Sequence, residues 1–312
     1  MNMSSYFDNK ELSFMAPKIT ELGRHMVMTN VQPEIKTKYV NVDTRFQEEF
    51  NLRSSADVII QLPQSIRDVK CLKITNIEIP FSFYPFSVTQ KNTFMKITSS
   101  ANNISPKIIL IKDNNYTENS IINTIQYEIS LLSDLSGLTI SYDSVNKKVI
   151  FTNISNTVYY TIDFAVDEIG NYDKYDLKSK LGWCLGFREP QYTIQNRTSI
   201  QSESILNVYT SRYIYVSVDD FQSNSPNSFI VPSTKSYLNS NVLSRVSLDP
   251  YFHSFGSVIV TSEMDGKLLS DTRTYSGKND IQKLRIQLLN EYGQVLNLNK
   301  MDFSFALMIQ YV

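Results

Sequence analysis

A mainly β fold is what this sequence predicts: a jelly-roll β-sandwich with a small α+β insert and an extended N-terminal arm. Three observations lead there. Short segments of alternating apolar and polar residues recur along most of the 312-residue chain, separated by polar turns. Aromatics reach 12%, mostly Tyr and Phe, and such residues suit pleated, half-buried surfaces. One stretch near the middle switches to helical spacing before the strands resume. Many strands around one helix-bearing insert favour a sandwich of the jelly-roll type.

Residues 1–36 form the arm. Apolar side chains (Tyr6, Phe7, Phe14, Met15, Met26, Met28) are scattered without a period, and Pro17 and Pro33 break any helix. The segment is too apolar for an ordinary solvated tail. It packs on its own sandwich or lies on a neighbour, and Tyr6, Phe7 and Phe14 are its candidate interface residues.

The sandwich is expected over 37–106 and 189–312. "KYVNVDT" and "DVIIQL" are strands. In "VKCLKITNIEIP", Leu72 and Ile74 share one parity but Ile77 and Ile79 the other, so an extra residue must slip the phase near Thr75 and Asn76. Pro80 should end that strand. Residues 107–188 form the insert. "KIILIK" is a strand. "NYTENSIINTIQYEISLL" places apolar residues at 121, 122, 125, 129 and 132, a helical spacing. Asn115 is the expected cap with Glu118 as reciprocal partner, and Gly137 the expected stop. "LTISYDSVNKKVIFTN" is a hairpin, "VYYTIDF" a strand and "YDLKSKLGWCLGF" a short amphipathic helical turn. Strands return with "RYIYVSV", "SVIVT" and "DIQKLRIQLLN". In the final "DFSFALMIQYV", Phe303, Phe305, Leu307, Ile309 and Tyr311 form one apolar face, as an internal strand requires.

Composition narrows the function. Net charge is −1, from 30 basic and 31 acidic residues well mixed along the chain, so no basic field attracts nucleic acid. No apolar run approaches the roughly 20 residues of a membrane span, and "MNMSSYFDNKELSF" lacks the pattern of a signal peptide. Cys71 and Cys184 sit in apolar settings and read as buried thiols in a reducing compartment.

Residues with chemical potential are few. The histidines, His25 and His253, have no activating nucleophile turn such as G-x-S-x-G to serve. Nucleotide-binding glycine loops and zinc-type Cys/His spacings are absent from the sequence. Asp219–Asp220, and the group Asp163, Asp167 and Glu168, could supply a glycosidase carboxyl pair, although acidic residues at strand ends commonly just solvate turns. "VSVDD" and "EMDG" lack the ligand spacing of a hand-type calcium loop. No catalytic residue, cofactor or metal is expected. Tyr159, Tyr160, Tyr213 and Tyr215 either half-cover the sheet or anchor an interface.

Several stretches taken together resemble one family. "KYVNVDTRFQEEFNLRSSADVIIQLPQSIRDVKCLKITNIEIPFSFYPFS" resembles the opening of minor capsid and penton proteins of large nucleocytoplasmic DNA viruses. "NYTENSIINTIQYEI" through "LGF" is similar to that family's helix-and-hairpin insert, and "LRIQLLNEYGQVLNLNKMDFSFALMIQYV" to its closing strand pair. The resemblance covers most of 38–312 in order; the arm carries none of it. It implies a single jelly roll in an icosahedral shell: a penton or another minor subunit in a virion capsid assembled in the host cytoplasm. Five copies would close a vertex, and the partners would be the chain itself, major capsid protein and other minor capsid proteins. The alternative is a carbohydrate-binding or carbohydrate-active jelly roll for host attachment.

Overall fold

The computed structural model describes residues 18–19, 25–26, 34–47, 54–101, 104–173, 177–209, 211–222, 230, 238–249 and 254–312. Strands β1 (Lys18–Ile19) and β2 (His25–Met26) form a two-residue antiparallel ladder. Then come β3 (Lys36–Asp43), β4 (Asp57–Ile66) and β5 (Val69–Pro80). A second group follows: β6 (Phe94–Ser99), β7 (Lys107–Leu110), helix α1 (Glu118–Ser130), β8 (Leu138–Asp143), β9 (Lys148–Asn153) and β10 (Tyr160–Asp163). It ends with α2 (Leu181–Cys184), β11 (Gln191–Ile194) and β12 (Ser199–Gln201). The chain then runs through β13 (Tyr213–Asp219), β14 (Val242–Ser247), β15 (Val258–Ser262), β16 (Leu268–Ser270), β17 (Arg273–Thr274), β18 (Ile281–Leu289) and β19 (Ser304–Tyr311).

Strand order identifies the architecture. One sheet runs β15-β5-β19-β3; the other runs β16-β14-β13-β18-β4, and every pairing is antiparallel. Counting the strands of these two sheets from β3, and setting aside the short β16 and the β17 that pairs with β5, strands first, eighth, third and sixth in chain order make up one sheet. Those second, seventh, fourth and fifth make up the other. That interleaving is the double Greek key of a jelly roll. The fold is mainly β, as the sequence predicts.

The strand β19 sits between β3 and β5. Phe303, Phe305, Leu307 and Ile309 are buried, while Tyr311 at the strand end is partly covered. Burying four such side chains contributes on the order of 6–12 kcal/mol before entropy is counted. The phase slip in β5 falls where the parity break requires it. Ala306 opposes Asn76 and Leu307 opposes Ile74, so Thr75 is left over, and its hydroxyl donates to the Ala306 carbonyl at 3.3 Å. The bulge lets Leu72, Ile74, Ile77 and Ile79 all enter the core.

Between β5 and β13 lies the insert, with a core of its own. Its strands form the sheets β11-β10-β6-β7 and β12-β9-β8, and α1 buries Ile121, Ile122, Ile125 and Ile129 against them. The segment 107–188 lies within this unit, whose strands extend on both sides of it, from β6 to β12. Two details of α1 correct the sequence reading. The cap is Thr117, not Asn115: its hydroxyl accepts the Ser120 N–H at 3.3 Å, while the Ser120 hydroxyl accepts the Thr117 N–H at 2.8 Å. Nor does Gly137 stop the helix, which ends at Ser130 before a separate turn over Ser133–Leu135. The smallness of Gly137 serves packing instead, since a Cβ there would meet the Tyr160 hydroxyl at 2.8 Å.

Candidate assembly surfaces

Among the described residues, most of the carboxylates and both thiols singled out in the sequence are held by the fold itself. Asp220 is buried; Arg273 Nη1 lies 3.2 Å from its Oδ2, and the Tyr275 hydroxyl donates to the same oxygen. Arg273 also donates to the carbonyls of Val218 at 2.7 Å and Asn241 at 3.1 Å. Burial, reinforced by Asp220, pushes the Tyr275 phenol well above its ordinary range, so it stays a donor. Asp219 instead accepts the Phe221 N–H at 2.9 Å and closes a turn. Asp163 caps the Ala165 N–H at 3.0 Å and pairs with Lys96 at 3.4 Å. Asp167 accepts from the Ile169 and Asn171 N–H groups at 3.1 and 2.8 Å, and Glu168 is exposed beside it.

The "EMDG" loop is closed the same way: Asp265 accepts from the Thr261 hydroxyl and the Lys267 N–H, both at 2.8 Å. Among the described residues no three His, Cys, Asp or Glu side chains are grouped to hold a metal ion. Cys71 and Cys184 are free and buried, and burial pushes the Cys184 thiol up to about 12, far from thiolate formation. Only the backbone of His25 is described, in β2; His253 lies outside the described residues. Tyr160 is buried, Tyr159 exposed, and Tyr213 packs edge-on against Tyr215 with ring centres 5.2 Å apart.

A polar cleft of about 330 Å³ separates insert from sandwich, lined among others by Asn92, Trp183, Arg212 and Glu291. The Tyr292 hydroxyl donates to the Lys178 carbonyl at 2.9 Å and ties the two units together. Arg188 lies 4.0 Å and Lys178 5.9 Å from the centre of the Trp183 ring. The Glu291 carboxylate accepts the Arg212 N–H at 3.3 Å, and burial raises its pKa.

Each sheet of the sandwich also presents two edges, and these differ. On β3 the edge carries Lys36 and Lys38 beside the exposed Tyr39. Pro63 sits within β4 where the pairing to β18 slips register, and β16 is only three residues long. Lysines, a proline at a bulge and shortness each blunt an edge against further pairing. The β15 strand has none of these. Its Val258 and Val260 are 55% and 63% exposed, and no charged residue interrupts Val258–Ser262. "SVIVT" reads as an ordinary strand; its edge position comes from non-local pairing.

Comparison with solved structures finds a likeness to the penton protein of mavirus. Identity is 10% and the TM-score 0.40, over 89% of this chain and 100% of that one. No protein-family model and no curated protein matches the chain. Tyr6, Phe7 and Phe14, the interface residues expected from the sequence, lie outside the described residues.

Proposed function

We propose that this chain is a structural subunit of the capsid of a large icosahedral DNA virus, a penton or another minor shell protein. It works by self-association, as a homopentamer at a vertex, and by contact with major capsid proteins; it performs no catalysis. The observation that carries this reading is the jelly-roll strand order, held by an insert-bearing chain whose segments from 38 to 312 resemble the capsid family in order. The availability of an unguarded sheet edge adds to it, since a ring protein needs contacts that repeat from copy to copy.

The carbohydrate reading has less support. Asp220, half of its carboxyl pair, is committed to Arg273 and Tyr275. Beside the cleft, the Arg188 guanidinium already lies over the Trp183 ring on which a sugar would stack, 4.0 Å from its centre. Sedimentation of the purified chain tests the proposal: a discrete five-copy species supports it. A monomer at every concentration, or turnover on a glycan panel, contradicts it.

A further inference from the structure

Every pairing along the β15-β5-β19-β3 sheet is antiparallel, and the two-residue β17 also pairs antiparallel with β5 beyond the end of β15, so the edge strands β15 and β3 run in opposite directions. A second copy set beside it, edge to opposite edge, continues the antiparallel alternation without any strand reversing. Such a contact is heterologous, the kind that generates rings.

Hydrogen-bond parity makes the register specific. The Ser257 carbonyl accepts from Phe81, so along β15 the odd residues Ile259 and Thr261 face β5. Val258, Val260 and Ser262 therefore aim their backbone groups outward, and the Ser262 N–H is already taken by Asp265 at 2.9 Å. Among the described residues, nothing pairs with the outward backbone groups of Val258 and Val260. On β3 the Thr44 N–H donates to Phe303, so Val42, Val40 and Lys38 face β19 while Asn41, Tyr39 and Thr37 aim outward. Both outward sets carry their side chains on the same, outer face of the sheet: Val260 lies in a row with Glu78, Ser304 and Asp43, four residues from Tyr39 along β3.

We infer that β15 of one copy pairs antiparallel with β3 of the next, with Val260 opposite Tyr39, joining the sheets head to tail. The inference rests on the shell-subunit reading and names the surface by which that subunit meets itself. In this register Val258 meets Asn41, Ile259 meets Val40, and Lys36 approaches Glu263. Pairs of aromatic and β-branched residues across strands are favourable. Charge disfavours self-pairing of β3, which would bring Lys36 and Lys38 of two copies together, whereas the turn after β15 carries Glu263, paired with Lys73 in its own copy, and Asp265. Within one copy the two edges stand three strand spacings apart, roughly 14 Å, so the pairing cannot be internal.

Disulfide trapping tests it. Val260→Cys and Tyr39→Cys single variants are mixed and oxidised; the native thiols are buried and do not compete. Directly paired strands bring Cα atoms to about 5.5 Å, within disulfide reach. A covalent dimer joining one variant to the other is expected, and neither variant alone should give it. In parallel, Val260→Pro removes an N–H that the folded subunit leaves open, so circular dichroism should be unchanged while association weakens about tenfold or more. Tyr39→Pro is the matching change on the other edge and serves if the first variant fails to fold. Wild-type oligomers with no mixed cross-link, and proline variants that assemble as well as wild type, overturn the pairing and leave the shell reading standing. A wild-type chain that never associates overturns both.

Discussion

Replacing Asp220 with alanine should damage the sandwich more than almost any other polar substitution. The Asp220 carboxylate accepts from Arg273, from the Tyr275 hydroxyl and from the Gln222 N–H at 3.0 Å, all in a buried site. Arginine cannot shed its charge, so the truncation leaves a buried guanidinium held only by the Val218 and Asn241 carbonyls. Removing one partner of a buried ion pair costs about 3–5 kcal/mol, and a phenol left without its acceptor adds about 1–3 kcal/mol. Against a typical domain stability of about 5–15 kcal/mol, the sandwich should be close to unfolding. The assay is guanidinium unfolding with two probes. Trp183, the one tryptophan, reports on the insert, and far-UV circular dichroism follows the β structure of both units. The early transition should appear in the dichroism while the Trp183 signal holds. The triple change Asp220→Leu, Arg273→Met and Tyr275→Phe should restore stability to within about 1–2 kcal/mol of wild type, because no charge is then stranded. A loss below about 1 kcal/mol for Asp220→Ala would refute the reasoning.

Three further outcomes are expected. Gly182→Ala in α2 drives a Cβ to 2.3 Å from the Phe164 ring, which is stacked on Phe187, so the insert should lose about 1–3 kcal/mol by Trp183-monitored unfolding. Phe305→Ala empties a buried site near the start of β19 beside the Phe303 ring, 5.7 Å away, and thermal or denaturant unfolding should show a loss of about 3–5 kcal/mol. Glu291→Gln should stabilise the chain at neutral pH. Burial raises the folded-state pKa, so the folded form binds its proton more tightly than the unfolded chain does. Wild-type stability from this group is therefore full below the ordinary glutamate value of about 4.3 and is lost as pH rises through the folded value. The two proteins should melt alike in acid and diverge toward neutrality; a constant difference at all pH values would remove Glu291 as the cause.

Local signals in the sequence were enough for much of the fold. The apolar face of β19 follows from parity alone, and the bulge at Thr75 follows from the mismatch between Leu72–Ile74 and Ile77–Ile79. Helix α1 was readable from the spacing of its isoleucines, but its cap lay two residues on, because Thr117 and Ser120 offer a reciprocal pair where Asn115 and Glu118 were favoured. The extent of the insert was not readable: β6, β11 and β12 have the same grammar as sandwich strands, and only pairing assigns them. Asp220 looked like a turn carboxylate, since its partner Arg273 lies 53 residues away. The open edge at Val258 and Val260 was hidden for the same reason, as an edge is a property of neighbours.

Amide hydrogen exchange, measured on the dissociated subunit and on its assembled form, tests the central claim most directly. Residues 304–311 should be strongly protected in both states, because β19 is paired on either side. The Val258 and Val260 amides should exchange freely in the subunit and become protected on assembly. A labile β19, or valine amides that exchange equally in both states, would contradict the account.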